Sequence, residues 1–202
     1  GHELVQLPDN TCVALPADSV RTLPLSVAPE EIKHLRRALP FMLEEALLED
    51  VSELHFANEP LDSDRQAVAV VRRQTMSQWM STLPDALKEL PWVSEALCLP
   101  WSSGYCTLVF EADHVLVRWG EASGSRIERS LLPALLNSLP IEHVSIVAYC
   151  SDEDVVRAII PDALHDGLQI RQGGLSEALL LASADTPGPD LRQGAFAHRL
   201  PC

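Results

Sequence analysis

Tyr105-Cys106-Thr107-Leu108-Val109-Phe110, then Glu111-Ala112-Asp113, then His114-Val115-Leu116-Val117-Arg118-Trp119 is the stretch on which the fold turns. Two β-rich runs separated by a three-residue connection read as an antiparallel hairpin. Downstream, residues 120–125 read as a turn and residues 126–129 as a third strand. A helix over 130–138, a buried-type strand over 144–149 and a helix ending near residue 160 follow. Ser151 is placed to supply the N-cap oxygen of that last helix, with Asp152, Glu153 and Asp154 facing the positive end of its dipole. A strand over 168–171 and a helix over 176–182 complete this half. Three meandering strands and then helix–strand–helix–strand specify an α/β protein with a mixed sheet.

Upstream, residues 11–15 and 20–27 read as strands on either side of the turn-like Pro16-Ala17-Asp18-Ser19. Pro29-Glu30-Glu31 opens a helix, with proline at the first helical position and acids in the first turn. Its apolar stripe is Ile32, Leu35, Leu39, Met42, Leu43 and Leu47. Pro40 falls inside that stripe and either kinks one helix or starts a second. Residues 53–57 and 67–72 read as strands around an acidic turn at 59–64, followed by a helix over 75–88. Residues 90–101 read as a crossover with room for one short strand. Trp79, Trp92, Trp101 and Trp119 are expected in a core between the halves. Residues 184–202, with proline and glycine but little periodicity, read as an extended linker.

The chain has 202 residues, 15 Lys+Arg against 29 Asp+Glu, and a formal charge of -14. That charge argues against binding nucleic acid or an anionic membrane surface, both of which need clustered Lys and Arg. Hydrophobic residues make up 47% of it, enough to bury a core. No apolar run approaches a membrane span, and the best one, Ala178-Leu179-Leu180-Leu181-Ala182, is far too short. Gly1-His2 reads as a tag remnant, with no signal peptide after it. Cys12, Cys98, Cys106, Cys150 and Cys202 include no CxxC spacing and read as free thiols of a reducing compartment.

Catalytic motifs are missing. Gly120-Glu121-Ala122-Ser123-Gly124-Ser125-Arg126 lacks the lysine of a phosphate loop, and neither GxGxxG nor GxSxG occurs. His114 and His143 have no metal-ligand spacing, His55 reads as a core histidine, and Gly173-Gly174 reads as a turn before a helix. No catalytic residue, metal, cofactor or small-molecule substrate is therefore assigned. The unusual feature is electrostatic. No Lys or Arg falls between Ala38 and Asp64, whereas Glu44, Glu45, Glu49, Asp50, Glu53, Glu59, Asp62 and Asp64 all do. Such runs are commonly solvated faces. This one lacks i,i+4 basic partners, so a docking surface for a basic protein is expected at Glu44, Glu45, Glu49, Asp50 and Glu53.

Arg37-Ala38-Leu39-Pro40-Phe41-Met42-Leu43-Glu44-Glu45, with Leu48-Glu49-Asp50-Val51 and Leu54-His55-Phe56-Ala57, closely resembles a family signature. It is similar to the "ALPF-LEE-L-ED---LHFA" region of type II secretion system protein L. Asp190-Leu191-Arg192-Gln193-Gly194-Ala195-Phe196 resembles the "NL-RQG-Y/F" segment that precedes that family's membrane helix. Met42 stands where an aliphatic residue is usual. The resemblance implies an actin/hexokinase-like fold with mixed β-sheets flanked by helices and a degenerate nucleotide site. Its subdomains would fall in residues 1–100 and 101–183, with 184–202 as a juxtamembrane linker. In active members of that superfamily the first hairpin is rich in Asp and Gly so that backbone amides reach phosphates. Phe110-Glu111-Ala112-Asp113-His114 has no glycine and two acids instead.

The resemblance further implies a single-pass inner-membrane adaptor of a Gram-negative secretion machine, seen on its cytoplasmic side. It would be non-enzymatic and recruit the secretion ATPase, protein E, through that ATPase's N-terminal domain. Membrane and periplasmic parts beyond this chain would engage protein M, and a homodimer is compatible with the role. An actin-like nucleotidase and a type IV pilus cytoplasmic assembly protein are the alternatives. The ALPF-LEE and RQG segments favour the secretion protein.

Overall fold

The computed structural model of the chain describes residues 11–139, 145–182 and 188–198. In its first half, β1 (Val13–Leu15), β2 (Arg21–Ser26), α1 (Leu35–Leu43), β3 (Leu54–Pro60), β4 (Arg65–Arg72), α2 (Arg73–Thr82), α3 (Asp85–Lys88) and β5 (Trp92–Ser94) follow one another. The turn at residues 16–19, closed by Ser19 N–H to Pro16 C=O at 3.0 Å, sends β1 and β2 into different sheets. β1 pairs in parallel with β5, the short strand expected in the crossover. β2 and β3 flank β4 on opposite edges, both antiparallel to it. β4 is buried from Gln66 to Val71, as its unbroken apolar sequence requires. Its alternation then divides two cores. Val68 and Val70 pack under α1 with Leu35, Leu39, Leu43 and Leu54. Ala69 and Val71 pack on the other side with Leu15, Met76 and Trp92.

The helices are shorter than the sequence suggests. The chain after Pro29 forms a 3-10 turn over Ile32–His34 before α1 begins. Ile32 and Met42 lie more than a third exposed, so only Leu35, Leu39 and Leu43 of the expected stripe are fully buried. Without packing, an early turn gains little from α geometry. Pro40 neither ends nor restarts α1, which runs through it to Leu43. The helix expected over 75–88 is two pieces, α2 and α3, because Pro84 holds Leu83 extended at φ -71° and ψ 143°.

The second half holds β6 (Tyr105–Phe110), β7 (His114–Gly120), β8 (Ser123–Glu128), α4 (Leu132–Ser138), β9 (Ser145–Tyr149), α5 (Glu153–Ile159), β10 (Leu168–Arg171) and α6 (Leu175–Leu179). Its sheet has the order β10-β9-β6-β7-β8, with an antiparallel meander on one side and two parallel strands on the other. This is the mixed sheet expected from the order of strands and helices. β8 starts earlier than expected, past an irregularity between Arg118 and Gly120. Asp152, not Ser151, caps α5, its carboxylate accepting from the Asp154 N–H at 3.1 Å. His143 and Val144 lie outside the described residues.

One face of this sheet, through Cys106, Leu108 and Phe110, packs on Leu132, Leu136 and Val156. The opposite face, through Val109, Leu116, Val147 and Tyr149, packs on Ala17, Ala96, Leu99 and Ala178. The 3-10 segment Glu95–Cys98 is thus wedged between the halves. Arg118 fastens it, donating from Nη1 to the Leu97 and Leu99 carbonyls at 2.7 and 2.6 Å, with its guanidinium 5.9 Å over the Trp101 ring. Thr22 and Gly124 form a second joint, exchanging hydrogen bonds of 3.3 Å between β2 and β8. Of the four tryptophans only Trp92 is fully buried, and it sits in the first-half core and not between the halves. Among the described residues, no helix is long and apolar enough to cross a membrane.

Candidate functional site

The acidic run begins where α1 ends. Its three leucines face inward, so the opposite side of the helix presents Phe41 to solvent at 76% exposure. A 3-10 turn carries Glu44 and Glu45, both exposed, and the chain then extends through Leu47. Leu48 projects fully into solvent. The Asp50 carboxylate accepts from the Ser52 N–H at 2.9 Å, starting the turn Val51–Glu53 that leads into β3. That hydrogen bond holds the Asp50 carboxyl below its ordinary range. Glu53 is exposed, and no ion pair holds Glu44, Glu45 or Glu53 among the described residues.

Residues 44–53 have no local basic partners, but the tertiary structure supplies a distant one. Glu49 pairs with Arg72 on β4, 23 residues on, whereas Asp62 pairs locally with Arg65, three residues on. Arg21 on β2 donates to the Ala46 carbonyl at 2.9 Å, and Arg73 donates to the Ser52 carbonyl at 3.1 Å. Arginines from three elements therefore frame the acidic loop. Four of the five expected docking residues, Glu44, Glu45, Asp50 and Glu53, keep carboxylates without an ion-pair partner among the described residues. Beside them lies a groove of about 590 Å³ lined by Arg21, Leu47, Leu48, Glu49, Leu54 and Arg72, among others. Sequence reading missed Phe41 and Leu48 as surface residues. Their signal was available, since Phe41 lies off the 35/39/43 stripe and Leu48 lies beyond it.

Residues 188–198 differ from an extended linker: they are docked on the first half. The Leu191 side chain is fully buried, and its N–H donates to the Trp92 carbonyl at 2.7 Å. Asp190 accepts from the Trp92 and Arg192 amides, both at 2.9 Å. Arg192 is 6% exposed; it donates to the Lys88 carbonyl and to Phe196 at 2.7 Å, and lies 5.1 Å over the Trp92 ring. The Gln193 side-chain amide pairs with both backbone groups of Asn58, standing in for a neighbouring strand at the β3 edge. Gly194, at φ +57°, then turns the chain so that Phe196 meets the His55 ring edge-on at 5.0 Å. Each residue of the Arg-Gln-Gly motif thus has a physical task.

His55 is a core histidine, as expected, with Nε2 2.7 Å from the Leu191 carbonyl. Burial, helped by Arg73 and Arg36, holds its pKa below the ordinary 6.5, against the opposing effect of that hydrogen bond. The unfolded chain therefore binds the proton more readily. His55's contribution to stability is present above pH 6.5 and is lost as the pH falls through the depressed folded value. Glu59 acts in the opposite sense: burial and Asp190 raise its carboxyl, so its contribution is present below 4.5 and lost as the pH rises through the raised value. Urea unfolding from about pH 5 to 7.5 should show the His55 slope, and His55→Gln, a non-titrating donor, should remove it. Parallel curves for the two proteins would contradict this assignment.

The β6–β7 hairpin, with two acids and no glycine in its connection, is closed on itself. Arg126 from β8 reaches the Glu111 carboxylate at 2.8 Å, and Arg129 donates to the Glu111 carbonyl. The Glu111 N–H is spent on the His114 carbonyl at 2.9 Å.

Comparison with known proteins agrees with the family resemblance. The sequence profile of the family Type II secretion system (T2SS), protein L matches residues 2–199. Type II secretion system protein L of Klebsiella pneumoniae is 30% identical over 200 residues, covering 96% of this chain and 45% of that protein. Its counterpart in Dickeya chrysanthemi is 27% identical over 191 residues, covering 92% and 44%. The chain thus spans a little under half the length of these relatives. The cytoplasmic domain of EpsL, an inner membrane component of the type II secretion system of Vibrio cholerae, superposes with a TM-score of 0.65. That match has 18% identity and covers 92% of this chain and 78% of that one, which shows a shared fold. With nearly its whole length matched, the chain belongs to the type II secretion system protein L family.

Proposed function

We propose that this chain is the cytoplasmic platform of an inner-membrane, single-pass adaptor that recruits the secretion ATPase, protein E, and has no enzymatic activity of its own. It is organised as two actin-like lobes meeting near residue 100, and residues 184–202 lead from them toward the membrane helix. Protein M is engaged by the membrane and periplasmic portions of the protein, and self-association is compatible with the platform role.

The surface around Glu44, Glu45, Glu49, Asp50 and Glu53 carries the reading. Exposed Phe41 and Leu48 among these acids supply apolar anchors within a charged rim, the usual anatomy of a protein interface. The arginine frame presents the loop in one conformation, which limits the ordering cost of docking. A basic surface on the ATPase's N-terminal domain is the complementary partner. The self-bonded Glu111 hairpin supports the non-enzymatic part of the proposal.

The test is the affinity for the ATPase's N-terminal domain at low and high salt. Glu44→Lys/Glu45→Lys/Glu53→Lys, which spares the Glu49–Arg72 pair, should weaken binding by about tenfold or more at low salt and flatten the salt dependence. Unchanged affinity would remove the acidic surface from the proposal. Calorimetric titration with Mg-ATP addresses the other part, where micromolar binding with turnover would overturn it.

A further inference from the structure

The segment 188–198 lies across the outer edges of two sheets. β1 occupies one side of β5. On the other side the segment bonds both backbone groups of Trp92, the N–H to the Asp190 carboxylate at 2.9 Å and the C=O to the Leu191 N–H at 2.7 Å. β4 occupies one side of β3. On the other side the Gln193 side chain bonds both backbone groups of Asn58, at 3.3 and 2.9 Å. His55, also on β3, has Nε2 2.7 Å from the Leu191 carbonyl. Between these edges lies a slot that reads side chains. Leu191 enters the core beside Met76 and Trp92, Arg192 crosses the Trp92 ring to the Lys88 carbonyl, and Phe196 closes the far end against His55.

We propose that this slot is a peptide-recognition site whose ligand is an extended segment of the pattern Asp-Leu-Arg-Gln-Gly-x-Phe, filled at rest by the chain's own residues and exchangeable with the same segment of a second copy. The mode is strand addition: bonds to main-chain groups at both edges supply affinity, and the Leu191 and Arg192 side chains supply selectivity. The second copy follows from the site itself. Every contact is made by one contiguous stretch, residues 188–198, and another chain offers that stretch unchanged.

Exchange requires that the segment leave without the fold coming apart. Leu191 and Phe196 are its anchors in the first-half core, whereas many of its other contacts are hydrogen bonds, which are replaced by bonds to water on release. Its acidic end also carries an opposing force. Glu59 is half-buried on β3, and burial and then the Asp190 charge raise its carboxyl. His198, with Nε2 3.4 Å from Asp190, offsets that repulsion only when protonated. Departure of the segment returns both carboxylates to water. In its own chain the segment competes at an effective concentration on the order of 1 mM, so another copy's segment enters where the resident one is weakened.

The experiment titrates a fluorescein-labelled peptide of residues 188–198, standing for the second copy's segment, with the full chain carrying Arg192→Ala and reads anisotropy. Saturable binding is expected, about tenfold or more tighter than to the parent chain, whose slot is filled. A peptide with alanine in place of its arginine should bind about tenfold or more weakly than the parent peptide. In the parent chain, hydrogen exchange at the Trp92 and Asn58 amides should run about tenfold or more faster than at Leu108 and Val109 of β6, because opening of the segment exposes only the first two. No saturation on the folded variant, equal affinity for the two peptides, equal binding by the two chains, or exchange of Trp92 and Asn58 at the β6 rate would each overturn the proposal. Far-ultraviolet circular dichroism checks that the variant is folded. If it is not, Gln193→Ala, which loses only the bonds to Asn58, takes its place.

Discussion

Arg192→Ala is expected to lower the unfolding free energy by about 3 kcal/mol. The guanidinium is almost fully buried, and its two hydrogen bonds point in different directions, to the carbonyls of Lys88 and Phe196. A charge-assisted hydrogen bond contributes about 1.5–3 kcal/mol, and truncation also leaves both carbonyls without their donor. Arg192→Lys should recover little, because one ammonium on a flexible stem cannot serve two divergent acceptors while lying on the Trp92 ring. Urea midpoints measure the loss. Limited proteolysis separates local from global effects, since cleavage near residues 188–198 should precede general unfolding if the segment detaches first. A variant within about 0.5 kcal/mol of the parent would show that the docked tail contributes no stability.

Gly124→Val is expected to cost about 3 kcal/mol through overpacking at the joint between the halves. A Cβ at this position would stand 2.8 Å from both the Ala96 Cβ and the Val117 carbonyl oxygen. Neither can retreat easily, because Ala96 is fully buried in the wedge and Val117 belongs to the central meander. The same change disturbs the Thr22–Gly124 exchange, which ties β2 to β8. Gly124→Ala should cost about 2 kcal/mol by the same contacts. Thermal unfolding followed by both tryptophan fluorescence and circular dichroism checks this. Near-parental stability would mean that β8 can shift away from the wedge, and the joint would then be looser than its hydrogen bonds suggest.

These two positions illustrate what local sequence conveys. The strands at 105–119 and the β4 run were legible because apolar alternation and unbroken apolar runs report one-sided and two-sided burial directly. Arg192 and Gly124 carry no such mark. An arginine in a polar, proline-bearing tail reads as solvated, and a glycine between two serines reads as a turn. In the fold, one is a buried clamp and the other a close-approach point. The same limit explains the acidic run. Its exposure was readable from composition, but the pairing of Glu49 with Arg72 spans 23 residues and depends on how β4 is set beside the loop. Pro84 shows the reverse, a break written in the sequence at Leu83-Pro84 that the single helix expected over 75–88 passes over.

By itself the sequence determined the α/β class, the central hairpin, the acidic surface and, through two motifs in order, the family. These follow from periodicity, charge and residue identity, all of which act over a few neighbouring residues. Only the tertiary structure decided that β1 leaves β2 to pair with β5 and that residues 188–198 are docked. Each of those depends on contacts between segments 79 to 136 residues apart. Such contacts form because burying Trp92, Leu191 and the wedge around Ala96 removes apolar surface from water, an energy no local window of sequence contains.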